Sequence, residues 1–159
     1  VNRTKQVLFM FRFSKKMDYS LLLLTDLSER NGSLVPASML ARKYNLSFDL
    51  VSNLLKNLTK NGFISSVRGK QGGYKISSSP GEISLQELVR AIDGPVTLTD
   101  CGHSGDESCC RISSICGSKT KIQEITHQVN QILGGVNLQQ IIDANSQTSL
   151  FKSGLERER

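Results

Sequence analysis

Residues 47–76, SFDLVSNLLKNLTKNGFISSVRGKQGGYKI, contain the pattern that decides the fold of this chain. Ser47 precedes a stretch with helical periodicity, and Gly62 follows it as a stop signal. The apolar residues of this stretch are spaced by 3, 1 and 3 and therefore share one helical face: Val51, Leu54, Leu55 and Leu58. The opposite face is polar and basic: Asp49, Ser52, Asn53, Lys56, Asn57 and Lys60.

Two short extended segments follow this helix, at residues 63–67 and 74–77. The connection, residues 68–73, has the sequence RGKQGG and carries two cations and three glycines. Such a hairpin tip could be an ordinary turn. Directly after a helix with a basic outer face, however, it indicates a wing. Its glycines allow close approach to phosphates, and Arg68 can enter a minor groove.

Two further helices are predicted before residue 47. Asp18 is expected to cap the first helix, which ends near Gly32 and packs inward through Leu21, Leu22, Leu24 and Leu27. Pro36 fits the first turn of a second helix, which runs to about Tyr44. The second helix, a tight turn at 45–46 and the helix after Ser47 together predict a helix-turn-helix.

The basic charge is concentrated in the N-terminal half of the chain. Residues 1–80 carry 13 Lys or Arg against 4 Asp or Glu, whereas residues 81–159 carry 7 against 10. A one-sided basic surface suits a polyanion such as double-stranded DNA, although a solvated basic face has the same composition. No apolar run is long enough for a membrane span, and no signal peptide is recognisable, so we expect a cytoplasmic protein that does not bind membranes.

All four cysteines of the chain lie in residues 101–116, CGHSGDESCCRISSIC. Seven residues separate Cys101 from Cys109, which is adjacent to Cys110, and five separate Cys110 from Cys116. Zinc sites usually contain Cys-x(2–4)-Cys pairs, which are absent here, whereas iron–sulfur clusters accept varied thiolate spacings. The spacing favours an iron–sulfur site. Unliganded loop thiols, a disulfide and zinc are the alternatives.

The remaining sequence predicts two more helices. Ser84 caps a short helix that ends at Gly94, and a longer one follows the cysteine loop. The longer helix has a narrow apolar seam that suits a dimer contact, or docking on its own domain: Ile122, Ile125, Val129 and Ile132. We therefore predict a winged helix-turn-helix domain at 10–80, a connecting helix and cysteine loop at 81–118, a dimerisation helix and packed turn at 119–142, and a flexible tail at 143–159.

The segments VRGKQGGYKI, ISLQELVRAIDGPVTLTDC and CRISSIC together resemble the winged-helix iron–sulfur regulators of the IscR and NsrR type. The resemblance implies a mainly α fold with a small β-hairpin wing, a winged helix-turn-helix plus a long C-terminal dimerisation helix. It also implies a homodimeric transcription regulator that acts as a repressor and has no enzymatic activity. GPVTLTDC is most similar to the branch that regulates iron–sulfur assembly operons.

The same resemblance implies a 2Fe–2S or 4Fe–4S cluster held by Cys101, Cys110 and Cys116, with Cys109 as an alternate ligand. Some members use a histidine three residues beyond the last cysteine, where this chain has Lys119. Others use an aspartate of the partner subunit at the position of Asp18, and the loop itself also contains His103. The resemblance further implies the DNA contacts: Ser47, Asp49, Ser52 and Asn53 at base edges or phosphates, Arg68 and Gly69 of the wing at the minor groove, and Lys56, Lys70 and Lys75 at phosphates.

Two functions of other kinds remain open at this point. An electron-transfer protein could use the same thiols and direct its basic half toward an acidic partner. A winged-helix regulator could instead sense through bare thiols or zinc without a cluster.

Overall fold

The computed structural model describes residues 13–30, 32–69, 71–99 and 116–145. These residues form five helices with defined bounds, α1 (Lys15–Glu29), α2 (Ala37–Lys43), α3 (Phe48–Lys60), α4 (Leu85–Ile92) and α5 (Lys119–Gly134). Residues 138–145 are also helical and are called α6 here. Strands β1 (Ile64–Val67) and β2 (Gly73–Ile76) form one antiparallel hairpin, and a 3-10 turn (Pro80–Glu82) precedes α4. The mainly α fold with a small hairpin wing is thereby confirmed.

Helix α1 begins earlier than the sequence predicts. Its N-cap is Ser14, whose hydroxyl accepts a hydrogen bond from the Met17 backbone N–H at 3.1 Å. Asp18 lies inside the first turn, so its assignment as the cap is wrong. The reason is burial, because the earlier start carries Met17 into the core, where it is fully buried.

The inward face of α1 also differs in part from the prediction. Leu24 and Leu27 are buried as expected, and so is Leu23. Leu21 and Leu22 are only half-buried and line an open groove between α1 and α6. Four consecutive leucines cover more than one helical face, so periodicity alone could not separate the core residues from their neighbours.

The helix-turn-helix and the wing share one core. Val51, Leu54, Leu55 and Leu58 of α3 are all buried, as their spacing predicts. Gly62 ends α3 with a φ of 81°, a left-handed conformation that suits glycine. In the hairpin, Ile64 pairs with Ile76 and Val67 pairs with Gly73.

A third extended segment fixes the base of the wing. The backbone N–H of Val35 donates to the Tyr74 carbonyl at 2.9 Å, and the Tyr74 N–H donates to the Val35 carbonyl at 2.9 Å. Gly73 lies so close to this segment that an added Cβ would be 2.7 Å from the Val35 backbone. Glycine is required here by the close approach of two backbones.

The segment after α5 returns to the core formed by α1, α3 and α4. The Leu85 N–H donates to the Val136 carbonyl at 2.8 Å, and the Leu138 N–H donates to the Ile83 carbonyl at 2.9 Å. Leu138 and Ile142 are buried in the same cluster as the helix-turn-helix residues. The helix also continues through residues 143–145, which the sequence assigns to a flexible tail. Residues 146–159 lie outside the described part.

A buried carboxylate connects α1 to α2. Asp26 is 2% exposed, and it accepts hydrogen bonds from the Arg30 guanidinium at 2.5 Å, the Tyr44 hydroxyl at 2.7 Å and the Lys43 ammonium. Burial by itself raises the pKa of Asp26. The three hydrogen bonds outweigh that effect and hold the pKa below its usual range. The carboxylate is therefore charged at neutral pH and fixes the first helix against the helix-turn-helix.

Candidate nucleic-acid interface and cysteine loop

The outer face of α3 presents the polar residues that the sequence predicts as DNA contacts. Asp49, Asn53 and Lys56 are exposed and Ser52 is half-buried. The Ser47 hydroxyl caps the helix by accepting from the Leu50 N–H at 3.3 Å. This face combines donors, acceptors and a cation, which are the groups that read base edges and bind phosphates.

The wing presents its cation at the end of β1. Arg68 is exposed, and Gly69 next to it has a φ of 123°, which a residue with a side chain rarely adopts. A Cβ on Gly72 would be 2.2 Å from the Val67 carbonyl oxygen, so the tip is too tight for any side chain there. Lys75 is half-exposed on β2, opposite Ser65. Lys70 lies outside the described residues.

Only the exit of the cysteine loop is described. The Cys116 thiol is half-exposed, and the Lys119 N–H donates to the Cys116 carbonyl at 3.4 Å as α5 begins. Cys101, Cys109, Cys110 and His103 lie outside the described residues. Within the described ranges, no three His, Cys, Asp or Glu side chains are placed to hold a metal ion.

Asp18, the candidate fourth ligand, is exposed on α1. It lies at the groove between α1 and α6, together with Leu21, Leu22 and Ile141. The groove is open and mainly apolar, with a volume of about 580 Å³. Asp18 is thus accessible to another molecule.

Two polar side chains that the sequence does not single out hold the entry to the cysteine loop through four hydrogen bonds. The Asn130 amide of α5 donates to the Val96 carbonyl at 3.1 Å and accepts from the Gln86 amide of α4 at 3.0 Å. At the end of α4, the Asp93 carboxylate accepts from the Ser14 hydroxyl at 2.5 Å and from its backbone N–H at 3.1 Å. Asp93 lies within the segment ISLQELVRAIDGPVTLTDC and Asn130 lies on α5, but no sequence signal indicates that either side chain bonds to a distant segment.

Helix α5 has one face toward its own chain and another toward solvent. Leu133 is buried, and Asn130 bonds to α4. The apolar seam predicted from the sequence lies partly outside this contact with α4. Ile125 is 37% exposed and Ile132 is 68% exposed, while Ile122 and Val129 are half-buried. Docking on the chain's own core therefore covers only part of the seam and leaves Ile125 and Ile132 exposed.

No helix in the described part of the chain combines the length and apolar character that a membrane crossing needs. This finding agrees with the absence of a long apolar run in the sequence.

Comparison with known proteins assigns the chain to a family. A family model described as Rrf2, iron-dependent transcriptional regulator, matches residues 13–144. The transcriptional regulator NsrR of Bacillus licheniformis is 29% identical over 126 residues, which cover 79% of this chain and 87% of that protein. The transcriptional regulator IscR of Klebsiella pneumoniae is 27% identical over 149 residues, which cover 92% of this chain and 88% of that protein.

Solved structures share the fold. CymR, the global cysteine regulator of B. subtilis, superposes with a TM-score of 0.65 at 22% identity, covering 85% of this chain and 98% of that one. T. potens IscR superposes with a TM-score of 0.64 at 21% identity, covering 87% of this chain and 90% of that one. The curated relatives are transcriptional regulators and not enzymes. The chain therefore belongs to the Rrf2 family of transcriptional regulators, whose winged helix-turn-helix serves DNA binding.

Proposed function

We propose that the chain is a dimeric transcriptional repressor whose affinity for DNA is controlled by an iron–sulfur cluster in the loop from Cys101 to Cys116. The observation that carries the proposal is the attachment of this loop to α5. Before the loop, the Val96 carbonyl is hydrogen-bonded to Asn130, and after it the Cys116 carbonyl is hydrogen-bonded to Lys119. A change of ligation in the loop therefore acts directly on α5.

The donor set fits such a cluster, because thiolates are the usual ligands of iron–sulfur clusters. Cys101, Cys110 and Cys116 would hold it, with Cys109 as the alternate to Cys110 and Asp18 of the partner subunit as a fourth ligand. A bound 2Fe–2S or 4Fe–4S cluster would supply bonds that cross-link these side chains. A carboxylate as fourth ligand would leave one iron more exchangeable, which suits a sensor.

The two anchors limit where Cys101 can reach. Cys101 is five positions after Val96, so the backbone between them spans at most about 17 Å. From Asn130 back to the start of α5 at Lys119, the helix axis measures about 16 Å, and Cys116 lies three residues before Lys119. Cys101 and Cys116 can share a cluster only if the chain after Val96 runs toward the N-terminal end of α5. Asn130 thus fixes the position of Val96, from which the chain continues toward the loop.

The partner in this proposal is a second copy of the chain. The exposed seam of Ile125 and Ile132 is a narrow apolar stripe of the kind that pairs with one other helix. Pairing α5 with its symmetry mate would give a two-fold dimer, which suits a palindromic operator. Residues 10–80 would bind DNA, 81–118 would hold the cluster, 119–142 would form the dimer and 143–159 would be a tail.

On DNA, the N-terminal part of α3 would enter the major groove. Ser47, Asp49, Ser52 and Asn53 would contact base edges or adjacent phosphates, and Arg68 with Gly69 would reach the minor groove. The lysines would set the affinity and its salt dependence: Lys56, Lys70 and Lys75. Such a regulator would act in the cytoplasm and would govern iron–sulfur assembly or a stress response.

The first test is anaerobic purification, a visible absorption spectrum, and iron and sulfide analysis. We expect a brown protein that keeps its colour in Cys109→Ser and loses it in the double variant Cys109→Ser/Cys110→Ser. Loss of colour in Cys110→Ser alone would show that Cys109 does not replace Cys110. Asp18→Ala should retain the colour and make the cluster more labile. Cluster-loaded and cluster-free protein should bind selected operator DNA with different affinities. Equal affinities would refute the proposed control, and a colourless protein after reconstitution would refute the cluster.

A thiol-based regulator without a cluster is the second candidate. Its support is the surplus thiol, because the loop has four cysteines where the family pattern uses three, and Cys116 is half-exposed. This candidate predicts a colourless protein whose affinity for DNA follows thiol oxidation and recovers on reduction.

A further inference from the structure

Phe48 is an aromatic residue that the core does not use. It is the first residue of α3 and is 55% exposed, whereas the four apolar residues on the inner face of that helix are buried. Phe48 is the only exposed aromatic side chain in the described part of the chain. Phe63 is buried, and the others are partly buried: Phe13, Tyr19, Tyr44 and Tyr74. The phenyl ring therefore contributes little apolar burial to folding.

The position of Phe48 places it beside the polar face of α3. Residues four apart in a helix are neighbours on its surface, so Phe48 lies one turn before Ser52 and is adjacent in sequence to Asp49. Along the axis of α3, Phe48 and Ser52 are about 6 Å apart. This distance is less than the length of two base-pair steps of DNA, which are about 3.4 Å each. The N-terminal end of a recognition helix is the part that contacts base edges.

The chemistry of the ring selects one feature of the groove. A phenyl group neither donates nor accepts a conventional hydrogen bond, so it cannot read the polar base edges as Asp49 and Asn53 can. The apolar feature of the major groove is the C5-methyl group of thymine. A methyl against a phenyl face also removes apolar surface on both sides from water.

We propose that Phe48 contacts the methyl group of one thymine in each operator half-site and so selects thymine at that position. The inference rests on the proposed DNA-binding function and adds a specificity-determining residue to it. The thymine lies within two base pairs of the position contacted by Ser52.

The test uses duplexes that the wild-type chain enriches from a random pool. In the enriched sequence, each thymine is replaced singly by deoxyuridine, which removes only the methyl group. At one position per half-site, we expect the wild-type Kd to rise about fourfold, from the typical transfer free energy of one buried methyl group. Phe48→Ala should show no such rise. Phe48→Leu, which keeps an apolar side chain, should retain part of it.

Met39→Ala is the matched control, because Met39 is an exposed apolar residue of α2 and is 45% exposed. This variant should keep the full sensitivity to deoxyuridine. The inference is overturned if wild type tolerates every deoxyuridine, if Phe48→Ala keeps the same sensitivity, or if Phe48→Ala unfolds or changes the oligomeric state in sedimentation. A wild-type chain that enriches no duplex overturns the DNA-reading function itself, which is a separate result.

Discussion

Replacement of Gly73 by alanine tests whether the wing depends on the close approach of two backbones. The added Cβ would lie 2.7 Å from the carbonyl carbon and oxygen of Val35, well inside normal van der Waals contact. Neither atom belongs to a flexible side chain, so the extended segment at Val35 must move away. The two 2.9 Å hydrogen bonds between Val35 and Tyr74 would then lengthen or break.

The expected loss of stability follows from those contacts. Two backbone hydrogen bonds contribute about 1 kcal/mol each, and overpacking adds a comparable cost. The lower entropy of the unfolded alanine chain offsets about 0.4–1 kcal/mol. We expect Gly73→Ala to lower the free energy of unfolding by about 2–3 kcal/mol, equivalent to a fall in Tm of about 4–12 °C.

The measurement is urea unfolding of the full chain at one protein concentration, with operator binding measured in parallel. Gly81→Ala is the matched control, because the nearest atom to its added Cβ, apart from its chain neighbours, is the Ser79 hydroxyl oxygen at 3.9 Å. That variant should be as stable as wild type or slightly more stable. Gly73→Ala should also bind DNA more weakly, since the wing shifts relative to α3. Equal stability of Gly73→Ala and Gly81→Ala would refute the reasoning.

Two further substitutions test the interior of α1. Ser20 is fully buried and its hydroxyl has no hydrogen-bond partner among the described residues, so Ser20→Ala should stabilise the protein by about 1 kcal/mol in urea unfolding. The matched control is Ser28→Ala, which removes a hydroxyl that donates to the Leu24 carbonyl at 2.7 Å and should change the free energy of unfolding little. A lower stability of Ser20→Ala would contradict the burial argument. Asp26→Asn should destabilise by about 1–3 kcal/mol at neutral pH. Folding lowers the pKa of Asp26. The ionised carboxylate therefore stabilises the fold above the pKa of Asp26 in the unfolded chain, and this stabilisation is lost as the pH falls through its pKa in the folded chain. The difference in the free energy of unfolding between wild type and Asp26→Asn should therefore shrink below about pH 4. If this difference is the same at acidic and neutral pH, the ion pairs of Asp26 are not its source.

The order of the helices, the inward face of α3 and the hairpin wing could all be predicted from the sequence. Local signals carry these features, namely the cap at Ser47, the spacing of the buried α3 residues, the stop at Gly62 and the glycines of the tip. The resemblance to known regulators added the chemistry of the cysteine loop. The DNA-contact and ligand residues stay predictions, because the comparisons establish the family and not the individual contacts.

Other features depend on contacts between residues far apart in the chain, which periodicity cannot encode. Helix α1 begins at Lys15 because Met17 fits into the core and Ser14 bonds to Asp93, 79 residues later. Among its four consecutive leucines, the neighbouring helices decide which are buried.

By itself, the sequence determined the helix-turn-helix, the wing, the basic half and the clustering of thiols, because each arises from residues close together in the chain. Only the tertiary structure decided that the segment after α5 returns to complete the core through Leu138 and Ile142. It also decided that Asn130 holds the entry to the cysteine loop, that Gly73 has no room for a side chain, and that Phe48 remains in solvent. The physical reason is that burial, close approach and hydrogen-bond pairing are properties of which surfaces meet, and distant segments meet only in the folded chain.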